Sequence, residues 1–526
     1  MHPCLRVDEI LRHIASELVA SEGEASAVAL ACCCKSFEDP VLDALWETQE
    51  GLTPMLKTLP ENVWINSERG VGAPTIFVLC WLNYLFPQFF RRPPTKGEWA
   101  RFRAYARRIR WFQEHGSQLP PSQALLVLQF RPFGEPLLPN LKSLILMDVT
   151  ENLVPFIPLF LSPRITSIEL GFKLNFPDVV AASVVATFPT VCPNLQRISL
   201  HPIPRDPMIA TAISEMLLVT NRNTLQQLEV YTPLTEEASK VICKLPNLRK
   251  LRLGIYGSDP LPTLVLPNLA RIHVEYDDGH GWLQGFRGAT LGELTSVAFY
   301  SVSHSIGDFL EAFESVALTT SIPATLSKFT FHTLRGWRPN YRSLLPFTQL
   351  KQLIVRFSCA RGCSSMIDDH TITELARAMP KLEFLRFGNL PCKTPTGVTA
   401  KGLTALAYHC PRLSSLCVHF QVAGLDPSEI PQATSCGEPT ILREDCALTC
   451  LQVGNIYVPE KSTLMVALTL LRIFPRLDDI MYIDQGWEKV ADAISASKKL
   501  VDHSSKKHPF DAPRRNVDDT PFRSHS

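Results

Sequence analysis

The sequence predicts an α/β fold in which short parallel strands alternate with return segments and stack into one continuous sheet. The first observation is an apolar phrase, Leu-x-x-Leu-x-Leu, that returns thirteen times between residues 137 and 487. The second is a shared loop, Pro-Asn-Leu or Pro-Arg-Leu, that precedes many copies, as at residues 193–195 and 246–248. A single copy cannot bury its own apolar face, so neighbouring copies must stack to form a core.

The composition is that of an ordinary globular protein. The chain has 526 residues, of which 45% are hydrophobic and 20% charged, and its formal net charge is +1. That balance gives no overall attraction to nucleic acid or to an anionic membrane. The 15 cysteines include no C-x-x-C pair, which indicates free thiols in the cytosol or nucleus and no zinc site. The uncharged stretch 71–90 contains Pro74 and Asn83, so it favours a buried helix over a membrane span.

Residues 5–46 predict three short helices. In the first, Ile10, Leu11 and Ile14 share one helical face, and Leu18 continues it. The third is expected to open with Asp39 as the N-cap and Pro40 at the first helical position. Some forty residues in three small helices make a small core, so part of their apolar surface is expected to await a partner.

The string Glu9-Ile10-Leu11, followed by Cys34-Lys35-x-Phe37 and Leu45-Trp46, resembles an F-box, in particular the F-boxes of mushroom-forming fungi. The sequence departs from the usual Leu-Pro opening, because Leu5 is followed by Arg6. The resemblance implies binding to the Skp-type adaptor of a cullin complex in a ubiquitin ligase. The alternative is that these helices only cap the repeats. The candidate adaptor contacts are Leu5, Ile10, Leu11, Ile14, Leu18, Pro40, Leu45 and Trp46.

Residues 50–136 carry no repeat and predict a helical connector. Between residues 91 and 110 there are eight Lys or Arg against one acid, Glu98, with aromatic residues between them. Such a mixture could grip a nucleic-acid strand. However, Trp99, Phe102, Ala106 and Ile109 recur at helical spacing, which favours an amphipathic helix that covers the first edge of the repeats.

Successive motif copies start 21 to 35 residues apart, which is typical of leucine-rich repeats or slightly longer. The mixed lengths predict an irregular leucine-rich-repeat solenoid with a parallel sheet. The usual Asn or Cys after each strand is absent, so no asparagine ladder is expected at that bend. The longer returns have room for helices, which are expected at 178–188, 208–219, 308–318, 371–379 and 399–409.

Strand alternation predicts which side chains leave the sheet on its concave face. Basic residues outnumber acids there, since only Glu229 and Glu275 are acidic. This bias favours an acidic or phosphorylated target protein, because Arg binds carboxylate and phosphate with two parallel hydrogen bonds. The alternative is that the bases only keep the strands soluble. The candidate target contacts are Arg197, Tyr231, Lys250, Arg252, Arg271, His273, Tyr300, Lys328, Arg356 and Arg386.

The sequence lacks a phosphate-binding glycine loop, a G-x-S-x-G elbow and an H-E-x-x-H motif, so we expect no enzyme activity, metal or cofactor. The predicted domains are the F-box-like module 1–49, the connector 50–136, the repeats 137–487, and a terminal helix with a disordered tail from about Val501 within 488–526. The predicted function is substrate recognition in an SCF-type ubiquitin ligase. A leucine-rich-repeat scaffold with no ligase link is the main alternative, and an RNA-associated protein is the third.

Overall fold

The computed structural model shows a mixed α/β fold with a large parallel sheet. The chain divides into two compact units, Met1–Leu334 and Arg335–Ser526, and each is described by itself. The structure describes residues 7–65, 89–115, 122–131, 134–173, 177–201, 207–219, 223–231, 234–255, 261–276, 285–286, 288–292, 294–301, 322–333, 341–357, 367–388, 397–425, 446–453, 457–482 and 486–505.

The first unit begins with the three predicted helices, α1 (Asp8–Glu22), α2 (Glu24–Cys33) and α3 (Lys35–Glu47). Their shared core is small: Ala15, Ala27 and Val41 are fully buried, and partly buried side chains pack around them. The prediction for the start of α3 was wrong. The helix begins four residues before Asp39, so Pro40 lies inside it, where its missing N–H removes only one helical hydrogen bond.

The remaining helices of the first unit lie in the connector and in the returns between strands. Helix α5 has the predicted buried face, with Trp99, Phe102 and Ala106 inside, and begins with a capping box between Thr95 and Glu98. Helices were expected at 178–188 and 208–219, and both are confirmed, while 308–318 lies outside the described residues. The helices are α4 (Thr53–Leu56), α5 (Lys96–Ala106), α6 (Ser122–Gln129), α7 (Asp178–Val191), α8 (Pro207–Val219), α9 (Glu236–Ile242) and the single turn Ile322–Thr325.

Fourteen strands are described in the first unit, and ten of them pair in parallel in the order β1-β4-β5-β6-β7-β8-β9-β11-β13-β14. Two short pairs stand apart, β2 with β3 and β10 with β12. The strands are β1 (Thr48–Glu50), β2 (Trp64–Ile65), β3 (Phe89–Phe90), β4 (Trp111–His115), β5 (Ser143–Val149), β6 (Ser167–Phe172), β7 (Arg197–His201), β8 (Gln227–Val230), β9 (Lys250–Ile255), β10 (Val265–Leu266), β11 (Arg271–Tyr276), β12 (Thr290–Leu291), β13 (Ser296–Ser301) and β14 (Lys328–Thr333).

The motif leucines form rows across the sheet. Leu144, Ile168, Ile198 and Leu228 are register partners on neighbouring strands, and each is buried. A second buried row runs two residues further along each strand. Each such side chain contributes about 1.5–3 kcal/mol when buried, so these rows hold the sheet together.

The sheet starts earlier than the sequence predicts, because β1 and β4 extend it beyond the first motif copy. The motif positions of this repeat are Ile109, just before β4, and Phe112 and Glu114 within it, so a buried carboxylate replaces the last apolar residue. Glu114 accepts a hydrogen bond from the backbone N–H of Leu52 at 3.0 Å. That contact requires Gly51, whose φ is +91° and whose Cβ position lies 3.1 Å from the carboxylate.

The loops before the strands carry an asparagine ladder that the sequence prediction missed. Each Asn of these loops donates its side-chain N–H to a backbone carbonyl of the preceding loop. Asn140 donates to Arg107 at 2.6 Å and Asn247 to Asn223 at 2.6 Å. Asn268 donates to Pro246 at 2.8 Å. No ladder was expected from the sequence, because only the bend after each strand was considered; the ladder lies before the strand, in the Pro-Asn-Leu loop.

The second unit continues the pattern with five parallel strands and four α-helices among its described residues. Asp369 links consecutive repeats, because its carboxylate accepts hydrogen bonds from the backbone N–H groups of Thr399 and Gly402 at 2.7 and 2.9 Å. The expected helices at 371–379 and 399–409 are confirmed. The strands are β15 (Gln352–Phe357), β16 (Phe384–Phe387), β17 (Ser415–Val418), β18 (Cys450–Gln452) and β19 (Asp479–Met481), and the helices Asp369–Ala378, Ala400–His409, Thr463–Ile473 and Gly486–Ser505.

The structure bears on the predictions for the C-terminal tail and for the uncharged stretch 71–90. The last helix continues to Ser505, so the five residues from Val501, which were expected to be disordered, are helical. The stretch 71–90 lies outside the described residues except for Phe89 and Phe90, which form β3. Among the helices that the structure describes, none has the length and apolar character needed to cross a membrane.

Candidate protein-binding surfaces

The face of the first unit's sheet that carries the first, third and fifth residues of each strand is called the polar face. Strand register places Glu229 beside Arg252, and Arg252 beside His273, at the third position. Lys250 and Arg271 are neighbours at the first position. The fold therefore places six of the ten predicted target contacts in one continuous group that includes Glu229. These six are Tyr231, Lys250, Arg252, Arg271, His273 and Tyr300.

Glu229 is the centre of this arrangement, because its side chain is only 7% exposed and takes several donors. Lys250 Nζ lies 2.5 Å from one carboxylate oxygen, and Gln227 donates to the same oxygen at 2.7 Å. Arg252 Nη1 lies 3.9 Å from the other oxygen. Burial raises the pKa of Glu229, but the hydrogen bond and charge of Lys250 and the charge of Arg252 lower it by more. Glu229 is thus a buried anion. It forms ion pairs with Lys250 and Arg252, two of the bases predicted to bind a target.

An aromatic group surrounds the same charges. The Arg252 guanidinium lies over the Tyr231 ring at 4.5 Å from its centre, and the His201 ring lies 4.8 Å from Tyr231. Gly254 permits this packing, since a Cβ there would lie 2.7 Å from the Tyr231 carbonyl oxygen. Arg252 therefore contacts both the Glu229 carboxylate and the Tyr231 ring. Neither contact can be predicted from the sequence pattern.

His273 stacks on Tyr300 with ring centres 4.5 Å apart and planes 3° from parallel. Burial, followed by the nearby charge of Arg252, lowers the pKa of His273 to about 3. Its Nε2 atom is buried and has no hydrogen-bond partner among the described residues. His273 is therefore a neutral ring at physiological pH and contributes shape rather than charge to the polar face.

Ser199, His201 and two carboxylates lie close together but do not form a nucleophilic relay. Ser199 Oγ hydrogen-bonds His201 Nε2, and both Glu169 and Glu229 carboxylates lie 3.8 Å from the same nitrogen. A serine relay needs the nucleophile on one ring nitrogen and the carboxylate on the other. Burial also lowers the pKa of His201. This geometry supports a hydrogen-bonded surface cluster.

Three bases at the first strand position stay accessible, namely Arg271 from the group above and two further ones, Arg197 and Lys328. Arg197, Arg271 and Lys328 are exposed, and none forms an ion pair with a residue in the described ranges. Their register neighbours are uncharged except Lys250, for instance Ser167 beside Arg197. These side chains are free to meet an anionic ligand, unlike Lys250 and Arg252.

The remaining two predicted target contacts lie in the second unit. Arg356 is exposed, while Arg386 is half-buried and burial lowers its pKa. The Nε atom of Arg386 is buried without a hydrogen-bond partner in the part of the chain that the structure describes. Cys417 lies beside Arg386 in the strand register.

The basic connector is mostly neutralised by acids. Five of its eight bases form ion pairs in the described structure, for example Arg92 with Glu98 at 2.8 Å and Arg107 with Glu135 at 3.3 Å. The hydrogen bond from Arg92 lowers the pKa of Glu98 to about 2. A nucleic-acid strand would have to displace these carboxylates. The five paired bases are Arg92, Arg103, Arg107, Arg108 and Arg110.

Helix α3 is fastened to the connector, and this fixes the three-helix module. Arg108 pairs with Asp39 at 2.6 Å and also with Asp43, which takes a second guanidinium from Arg12 of α1. The Trp46 ring packs on Tyr105 with centres 4.7 Å apart. Trp46, predicted as an adaptor contact, is therefore half-buried against the connector.

The first helix and the residue before it carry an exposed apolar stripe, defined by Val7, Ile10 and Ile14. These side chains follow one another at helical spacing and are 42%, 40% and 39% exposed. Val7 was not among the predicted contacts. Of the other candidates, Leu11 and Pro40 are buried, Leu18 and Leu45 are half-buried, and Leu5 lies outside the described residues.

A metal centre would need three or more His, Cys, Asp or Glu side chains close together. The described residues contain no such group. The cysteines in those ranges are free thiols. Burial raises the pKa of the Cys243 thiol to about 12, which is the behaviour of an inert core residue.

Comparison with protein-family models and with curated proteins gave no match. Among solved structures, the chain is similar to a crystal structure of a Bacteroides fragilis protein solved as a structural-genomics target. The two are 13% identical over 63% of this chain and 67% of the other, with a TM-score of 0.23. That likeness is too weak to bear on fold or function.

Proposed function

We propose that this chain is the substrate-recognition subunit of an SCF-type cullin–RING ubiquitin ligase in the cytosol or nucleus. The three-helix module binds a Skp-type adaptor as an F-box does, and the strands form a leucine-rich-repeat solenoid whose polar face holds the target protein. The chain itself supplies no chemistry. Its partners transfer ubiquitin, and this subunit raises the local concentration of the target.

The observation that carries the proposal is the exposed apolar stripe of Val7, Ile10 and Ile14. Exposed apolar side chains that line up on one helix face mark a docking site for another protein. Different residues of the module contact the connector, namely Trp46 and Asp43 of α3. The stripe is thus available for a partner while the module stays attached to the repeats.

Co-purification with a Skp-type adaptor tests this proposal. The variant I10D/I14D is expected to lose the adaptor, because two carboxylates would be buried without partners at the interface. Leu11→Asp is a poor test, since Leu11 is buried and its change would unfold the module. Val179→Asp is the matched control: Val179 is 57% exposed on α7, outside the module, and its change should leave adaptor binding intact.

Adaptor binding by wild type that survives I10D/I14D would contradict the proposed interface. Failure of the wild-type chain to bind any Skp-type adaptor would instead favour the leucine-rich-repeat scaffold, which uses the same polar face without a ligase.

Target capture through the polar face has its own test. The variant R197E/R271E/K328E removes the exposed bases and leaves Lys250 and Arg252 on Glu229. It should release an acidic partner that wild type captures, with adaptor binding unchanged. Equal capture by both proteins would refute the polar face as the target site.

A further inference from the structure

A shallow pocket of about 570 Å³ lies in the first unit where strands β4, β5, β6 and β7 begin. Three bases line it, Arg110, Lys142 and Arg164, together with the amides of Asn140 and Asn194. No carboxylate lines the pocket within the described part of the chain. It is separate from both the apolar stripe and the polar face, whose residues it does not include.

The repeat architecture brings these bases together. Arg110 and Lys142 are backbone neighbours immediately before β4 and β5, because the Lys142 N–H donates to the Arg110 carbonyl at 2.8 Å. Neighbouring strands lie about 4.8 Å apart, so these two side chains start from adjacent positions. Arg164 comes from the next loop, where Asn140 Oδ1 accepts a hydrogen bond from its guanidinium.

The asparagines of the ladder also order the pocket wall. Asn140 donates to the Arg107 carbonyl at 2.6 Å, and Asn194 donates to the Pro163 carbonyl at 3.3 Å. Their amide groups are thus fixed before any ligand arrives, which lowers the entropy cost of binding.

The charge of the pocket is only partly compensated. Arg110 lies 3.7 Å from Glu47, while Lys142 and Arg164 have no ion-pair partner among the residues described. Arg pairs with phosphate through two parallel hydrogen bonds, and Lys adds a point charge. We propose that this pocket binds a phosphoryl dianion, either free phosphate or a phosphorylated side chain. The proposal is independent of adaptor binding.

Two binding assays on the full-length chain test it. Inorganic phosphate is titrated during thermal unfolding, with sodium chloride at equal ionic strength as the reference. A labelled Gly-phosphoserine-Gly peptide and its unphosphorylated form are compared by fluorescence polarisation. The wild-type chain is expected to respond to at least one phosphoryl probe beyond its reference, and the probe that binds identifies the source of the dianion.

The variant K142E/R164E should weaken that response at least tenfold. K142Q/R164Q, which removes both charges but keeps polar side chains, should weaken it several-fold, and K142R/R164K should retain it. The matched control is K401E/R412E, which makes the same charge change at two exposed positions of the second unit. The proposal is overturned if wild type responds to neither probe beyond its reference, or if the pocket variants and the control respond alike.

Discussion

The connector and the polar face are both basic in sequence, yet their bases have different fates. In the connector, five of eight bases pair with acids such as Glu135 and Asp39. On the polar face, Arg197, Arg271 and Lys328 remain exposed without ion pairs among the described residues. Basic residues stay accessible to an anionic ligand only where the fold leaves them without counter-ions.

The cause of the difference lies in the neighbours that each element receives. Helix α3 presents Asp39, Asp43 and Glu47 to the connector, so the arginines hold the module in place. On the sheet, register sets Ser296 beside both Arg271 and Lys328. Uncharged partners leave the guanidinium and ammonium groups to solvent or to a ligand.

The largest expected effect is the reversal of a paired connector base. Arg108→Glu places a third carboxylate against Asp39 and Asp43 and should lower the free energy of unfolding by about 3 kcal/mol. Chemical denaturation measures the change. The control is Arg101→Glu, an exposed base of α5, with an expected change within about 0.5 kcal/mol. Equal effects of the two variants would show that the ion pairs of Arg108 contribute no more to stability than an exposed base does.

The next effect depends on pH and concerns His273. Its folded pKa, about 3, lies below the ordinary 6.5, so the unfolded chain binds the extra proton first as pH falls. The contribution of the neutral His273 ring to the free energy of unfolding is complete above pH 6.5 and declines as pH falls from 6.5 to 3. From pH 7.5 to 5 the loss is about 2 kcal/mol. When the free energy of unfolding is measured against pH, His273→Asn should lack this loss. If wild type and variant gave parallel curves, the low pKa of His273 would be contradicted.

A smaller effect is expected from the asparagine ladder. Asn247→Ala leaves the Asn223 carbonyl without its side-chain donor and should cost about 1 kcal/mol. Lys244→Ala, at an exposed position of the same loop, serves as the control and should change little. Thermal unfolding of the two variants separates them; matching curves would show that the ladder contributes nothing.

The smallest effect on stability is expected from the accessible bases of the polar face. Arg271→Glu should change the free energy of unfolding by less than about 0.5 kcal/mol, because the residue is exposed and unpaired in the described structure. A loss comparable to that of Arg108→Glu would show that Arg271 is structural after all, and would remove the contrast between the two regions.

The sequence was sufficient to predict the strands that carry the apolar motif, since the period of the motif directly records which side chains are buried. It was insufficient for β4, where Glu114 occupies an inward position that a search for apolar residues rejects. Only the structure shows that one oxygen of this carboxylate accepts a hydrogen bond from the Leu52 N–H.

Within the candidate site, strand alternation correctly identified which side chains leave the core, such as Arg197 and Arg271. It could not show that Glu229 binds Lys250, because that pairing depends on the register between strands from different repeats. The sequence also could not show that Leu11 is buried. Ile10, Leu11 and Ile14 share a broad helical face, and tertiary packing decides which of them is covered.

Hydrogen–deuterium exchange with and without a purified Skp-type adaptor tests whether the three-helix module is the adaptor-binding site. The adaptor is expected to slow exchange in α1 and to leave exchange in strands β7 to β14 unchanged, because the polar face would stay open for a target. Unchanged exchange in α1, or protection that falls on the polar face instead, would contradict it.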